Sequence, residues 1–212
     1  MFCQCANTTS LDLTHWDVSN VVDMSHMFNI CKLLTAIDVG NWDVSNVVNM
    51  EKMFRLCMGV TTLDVGNWDV SNVTNMNQMF NGTLNLASLD VSNWNTSKVT
   101  DMGYMFGVYY TPNATTQSPL DYLDVSNWNT SQVTTIDGLF KGRINLTSID
   151  VSNWNVSKVT DMSLMFDGFS SNTSLGMKLE ELHLEKWKTN NVVNTERMFY
   201  NCPSLTKIYE LS

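Results

Sequence analysis

Proline is scarce, at three in 212 residues. So little of it excludes a proline-rich linker or a disordered low-complexity tract. No apolar run reaches 18 residues, so no stretch reads as a membrane-spanning helix, and direct membrane insertion is not expected of this segment. A charged-then-apolar leader is also missing at the start. Basic residues are few, 12 against 21 acidic ones, for a formal charge of -9. They form no stripe, which excludes nucleic acid as a partner. Catalytic patterns are missing too. The histidines His15, His26 and His183 are scattered, and there is no G-x-S-x-G, H-E-x-x-H or phosphate-binding glycine loop. The chain is therefore not expected to be an enzyme, and no catalytic, cofactor-binding or metal-ligating residue is assigned.

What the chain has is repetition. Trp16, Trp42, Trp68, Trp94, Trp128, Trp154 and Trp187 are spaced 26, 26, 26, 34, 26 and 33 residues apart. The unit is 26 residues, lengthened once in "GVYYTPNATTQSPLDY" (107–122) and once in "DGFSSNTSLGMKLEE" (167–181). The register divides the chain into one array: a partial repeat 1–10, full repeats 11–36, 37–62, 63–88, 89–122, 123–148, 149–181 and 182–207, and a partial repeat 208–212. It reads as a segment of a longer array.

Within a repeat, two periods alternate. Ile37 and Val39 flank Asp38, the period of a short strand with one buried face. Val47, Met50, Met53, Phe54 and Cys57 follow at steps of 3, 3, 1 and 3, which predicts one face of a short helix. Asp23, Asn49, Asn75, Asp101 and Asp161 precede the first Met and are expected to cap that helix. Neither element buries its apolar side alone, and a two-turn helix is too short to be stable in water. Stacking the units solves both problems. The expected fold is therefore an α/β repeat solenoid, leucine-rich-repeat-like, with a parallel β-sheet on one face and short helices on the other. Met and Phe fill its core.

The strand columns match the leucine-rich-repeat pattern, with Trp where that family usually has Asn. The fuller word, "LDVSNWNTSKVTDMGYMF" (89–106) and its copies, closely resembles the BspA-like leucine-rich repeats of bacterial surface proteins, also found in mycoplasma lipoproteins and some protists. The match covers essentially the whole chain. Repeat 5 departs from it by placing Ile136 and Leu139 at the Met positions, and repeat 7, "LHLEKWKTNNVVNTERMF", by losing its Asp. The resemblance implies an extracellular, cell-surface protein that adheres to or binds host matrix proteins.

Six aspartates share one column: Asp12, Asp38, Asp64, Asp90, Asp124 and Asp150. Each lies between inward apolar residues and so points outward. At strand spacing they line about 24 Å, and without them the charge would be -3 rather than -9. Neighbouring like charges repel by roughly 1 kcal/mol per pair in water. Two readings stay open. The carboxylates hydrogen-bond to nearby Ser, Thr or Asn and are solvated, or they form a site for a divalent cation such as calcium, or for a basic partner. The spacing lacks the convergent oxygens of a calcium loop.

Asn41, Asn67, Asn93, Asn127 and Asn153 form a second column, read as amides bonded from rung to rung. Cys5, Cys31, Cys57 and Cys202 form a third, read as buried thiols, with a disulfide between adjacent rungs left open. Nine N-x-S/T sequons occur, some of them, such as Asn95 and Asn129, by-products of the repeated word. The first insert brings Tyr109, Tyr110 and Tyr122, a residue type enriched in binding patches.

The candidate ligand-binding residues are therefore Asp38, Asp64, Asp90, Asp124, Asp150, Tyr109, Tyr110 and Tyr122. The function expected is an extracellular binding or adhesion module, presenting its strand face and inserts to a host or extracellular protein or glycan. The alternative is a passive stalk or spacer. No cofactor is required beyond the open calcium question, and a monomer is expected.

Overall fold

The computed structural model describes residues 2–108, 118–168 and 176–210. Its backbone is governed by short side chains that turn the chain on themselves. Asp17 Oδ1 accepts the N–H of Ser19 at 3.0 Å, and Asp43, Asp69, Asn95, Asn129 and Asn155 do the same for the residue two places on. Asp23, Asn49, Asn75, Asp101 and Asp161 repeat the device six residues later. These are Asx turns, in which a short polar side chain substitutes for a backbone acceptor.

Successive repeats bond to one another through equivalent positions. Parallel bridges join Asp23 to Asn49, Asn49 to Asn75, Asn75 to Asp101, Asp101 to Thr135, Thr135 to Asp161 and Asp161 to Asn194. The core is built the same way. Phe28, Phe54, Phe80, Phe106 and Phe140 stack ring on ring at 5.5–5.8 Å, nearly parallel. Trp94, Trp128 and Trp154 form a second stack. Met50, Met53 and Phe54 are fully buried, and the repeats from 63 to 181 bury the residues in those columns.

The expected α/β solenoid, with a parallel sheet on one face and helices on the other, is not the observed architecture. None of the described residues is helical. The strands are β1 (Thr62–Leu63), β2 (Ser88–Leu89), β3 (Glu181–His183) and β4 (Lys207–Tyr209). β1 pairs with β2 and β3 with β4, both parallel, in two separate two-stranded sheets.

The segment expected to be helical is a run of overlapping turns. In Met24–Cys31, the N–H groups of Met27, Asn29 and Cys31 bond three residues back, to Met24, His26 and Phe28. An α-helix bonds four back. The alternate N–H groups, on Met24, His26, Phe28 and Ile30, leave the repeat for the carbonyls of Asn49, Glu51, Met53 and Arg55 at 2.8–2.9 Å. His26, Lys52, Gln78, Tyr104, Gly138, Leu164 and Arg197, one per repeat, all have positive φ, between 53° and 60°. A right-handed helix forbids that sign. The spacing of Val47, Met50 and Met53 by threes fits three-residue turns. A helix is also 10–12 Å across, whereas repeats joined by direct backbone bonds sit about 4.8 Å apart.

The strands are short for a local reason. The chain bends immediately after Val39, where the N–H of Trp42 closes a turn on the Val39 carbonyl at 3.1 Å. The same turn recurs at Val65–Trp68, Val91–Trp94, Val125–Trp128 and Val151–Trp154.

Candidate ligand face around Tyr122

The aspartate column lies at the mouth of these bends. Asp90 Oδ1 accepts both the N–H (3.0 Å) and the hydroxyl (2.7 Å) of Ser92. Asp12 with Thr14, Asp124 with Ser126, and Asp150 with Ser152 are built alike. These bonds favour the ionised carboxylate and hold Asp12, Asp90 and Asp150 below the usual carboxylate range. Desolvation acts in the opposite direction, and the hydrogen bonds outweigh it. Asp38 and Asp64 have glycine two places on, Gly40 and Gly66, and so lack the hydroxyl partner. Asp64 instead leans over Gly40, where a Cβ would come within 2.5 Å of its Oδ2.

The column gathers into a site at one place. Tyr122 stands two residues before Asp124, on the same outward side by the alternation of an extended chain. Its neighbours in the adjoining repeats are Ser88 and Ser148, so the ring rises above them and is 62% exposed. A hollow of about 420 Å³ opens on one side, lined by Asp90, Asp121 and Asp124, and another of about 410 Å³ on the other, lined by Asp124, Asp150 and Glu181. Tyr122 walls both. No lysine or arginine among the described residues lines either hollow. His183, which also lines the second, is taken up by Glu185 at 2.9 Å and stacks on Tyr209. Asp121 and Glu181 accept no hydrogen bond among the described residues.

Four of the eight residues read from the sequence thus come together: Asp90, Asp124, Asp150 and Tyr122. Asp38 lines a smaller hollow with Trp16 and Trp42, and Asp64 faces Gly40 as described. Tyr109 and Tyr110 lie outside the described residues. Asp121 and Glu181 are not among the residues read from the sequence. Their signal was the register of the inserts: each ends one repeat and feeds the outer side of the next bend. Among the described residues, no group of three or more His, Cys, Asp or Glu side chains is placed to hold a metal ion.

The chain belongs to a known family. Residues 1–118 and again 112–210 match the family described as "Mycoplasma protein of unknown function, DUF285". No curated protein and no solved structure matches.

The other columns of this family member are structural. The Asn41 column stays exposed, and its one bond among the described residues comes from Lys186 to Asn153. Amides do link repeats, but from the next turn: Asn46 and Asn72 donate to the carbonyls of Ser19 and Ser45 at 2.8 Å. The cysteines are all free thiols. Cys31, Cys57 and Cys202 each donate to the carbonyl of the Phe one repeat back, at 3.1 Å. Burial pushes the Cys57 and Cys202 thiols up, Cys202 to about 12.

Two buried charges lie apart from the Tyr122 hollows. Arg143 occupies the cysteine column, fully buried. Its guanidinium donates to Phe106 O, Thr83 O, Thr83 Oγ1 and the hydroxyl of Ser118, within the first insert. Asp167, also fully buried, lies 2.9 Å from Arg197 and 3.8 Å from Lys141.

Proposed function

We propose that this chain is a binding module displayed at a cell surface, which recognises an extracellular protein or glycan through the outward aspartate column and Tyr122. One observation carries the reading: an exposed tyrosine stands between two shallow, carboxylate-lined hollows on an ordered backbone. An aromatic face with flanking acceptors is a common recognition element, and aromatic contacts often dominate binding energy. The close resemblance of the repeated word to BspA-like leucine-rich repeats supports a surface location and an adhesive role. The carboxylates act here as hydrogen-bond acceptors and fixed charges rather than as ligands to a metal ion.

A second reading, a passive spacer, is favoured by a different observation. Asp12, Asp90, Asp124 and Asp150 each hold their own Ser or Thr, which is reason enough for an aspartate at that position. One experiment separates the two. The purified chain is immobilised and screened against extracellular matrix proteins and a glycan array, with Tyr122→Ala alongside. A binding module retains a ligand that the variant loses. A spacer retains nothing that depends on Tyr122.

A further inference from the structure

The Tyr122 hollows carry negative charge with little internal counterpart. Asp90, Asp121, Asp124, Asp150 and Glu181 line them, and no lysine or arginine among the described residues does. The internal hydrogen bonds to Asp90, Asp124 and Asp150 all go to Oδ1, so Oδ2 of each accepts none among the described residues. Elsewhere the same chain shows what a tyrosine beside a carboxylate takes up. The Arg197 guanidinium lies 4.3 Å from the centre of the Tyr200 ring while it bonds Asp167 at 2.9 Å. A guanidinium is planar, stacks on aromatic faces and forks onto carboxylates. At Tyr122 the ring and the acceptors are present, and none of the described residues supplies the guanidinium.

Resting on the reading of this face as a ligand site, we propose that Tyr122 and its flanking carboxylates bind an arginine side chain of an extended peptide segment in the partner protein. The guanidinium stacks on the Tyr122 ring, and Asp121 or Asp124 accepts its N–H groups. A second cation of the same segment is taken by Asp150 or Glu181 in the other hollow. The carboxylates lie one per repeat, so the hollows bracket Tyr122 over about 10 Å. That span fits two cations three residues apart in a peptide of polyproline II form, which faces the same side every three residues and rises about 3.1 Å per residue. A single metal ion requires converging oxygens instead, and a neutral sugar would leave the charge unmatched.

The test uses a dye-labelled hexapeptide, Gly-Arg-Gly-Gly-Arg-Gly, its citrulline counterpart, which is neutral and nearly the same shape, and a neutral tetrasaccharide, cellotetraose. Each is titrated into the intact chain by fluorescence anisotropy or calorimetry. The arginine peptide is expected to bind, more weakly as salt is raised, and the citrulline peptide at least about tenfold more weakly. Tyr122→Ala is expected to weaken the arginine peptide about five- to tenfold, and Asp121→Asn with Glu181→Gln by a similar factor. Those residues make no internal hydrogen bond through their side chains among the described residues, so the melting curves are expected to match the parent. Equal binding of the arginine and citrulline peptides, or arginine binding unaffected by Tyr122→Ala, overturns the proposal. Tyr122-dependent binding of cellotetraose alone keeps the ligand face and overturns the arginine assignment. Failure of every probe overturns both.

Discussion

Trp68 donates its indole N–H to the carbonyl of Val39, one repeat back, at 3.0 Å. That carbonyl already closes the turn to Trp42, so both its lone pairs are engaged. Trp94, Trp128, Trp154 and Trp187 make the same bond to Val65, Val91, Val125 and Val151. The column therefore explains why tryptophan, rather than another large apolar residue, is repeated. Phenylalanine would fill much of the space but lacks the donor. Trp68→Phe is expected to cost about 2 kcal/mol, combining a lost hydrogen bond with imperfect packing. Trp16 makes no such bond among the described residues and is only partly buried, so Trp16→Phe should cost clearly less. Urea melts of the two variants check the difference.

Lys52 has a φ of 55° where a helix would require a negative value. Glycine adopts that conformation without the Cβ penalty. Lys52→Gly is expected to leave stability unchanged or raise it by up to about 1 kcal/mol. The adjacent Glu51→Gly, at a residue without positive φ, is expected to destabilise by a similar amount. In a helix both would destabilise. The pair of urea midpoints thus distinguishes a turn run from a helix in solution.

Arg143 is fully buried and donates to carbonyl and hydroxyl oxygens, while burial pushes its pKa down. Thr83 shows that the same column accepts threonine, bonding Phe80 O at 2.8 Å. Arg143→Thr should therefore fold, but it removes the tie to Ser118 and leaves several acceptors unpaired. A loss of about 3 kcal/mol is expected. Arg143→Lys should not restore it, because an ammonium cannot reproduce the fork. Urea melts of both variants check the loss.

Asp12, Asp90 and Asp150 have folded pKa values below 3.8, because Thr14, Ser92 and Ser152 donate to the ionised form. As pH falls, the unfolded chain takes up these protons first. The stabilisation is present above about pH 4 and is lost as pH drops through the lower, folded values. The triple variant Asp12→Asn, Asp90→Asn, Asp150→Asn should still fold, since Asn95, Asn129 and Asn155 already hold Asx turns. Its stability is expected to vary less between pH 7 and pH 3 than that of the parent, as read from urea midpoints at the two values.

Much of the packing was legible because it is periodic. The Trp ruler placed every copy, and Met50, Met53 and Phe54 read as core and are buried. The aspartates read as one column, and of the two readings left open for them the hydrogen bond to a nearby Ser or Thr is the one seen at Asp12, Asp90, Asp124 and Asp150. The sequence does not say that one Oδ1 takes both the N–H and the hydroxyl of the residue two places on, because that depends on the bend of the backbone. Tyr122 stood out in the sequence by its residue type alone. Its role as a wall between two hollows was not legible, because that depends on Ser88 and Ser148 being small in the repeats on either side.

The sequence by itself determined the 26-residue period and the buried columns, because each depends on residue type and spacing. Asp23 and Asn49 illustrate the limit. Both were expected to cap a helix, and both do accept an N–H two residues on. The path of the backbone beyond them was decided only by the tertiary structure. In Met24–Cys31 a helix and a run of turns bury much the same side chains, so the pattern of apolar residues does not separate them. The neighbouring repeat does, because its carbonyls at Asn49, Glu51, Met53 and Arg55 lie within hydrogen-bonding reach of alternate N–H groups. Once those donors are bonded outward they are lost to the carbonyls four residues back, and a helix can no longer form.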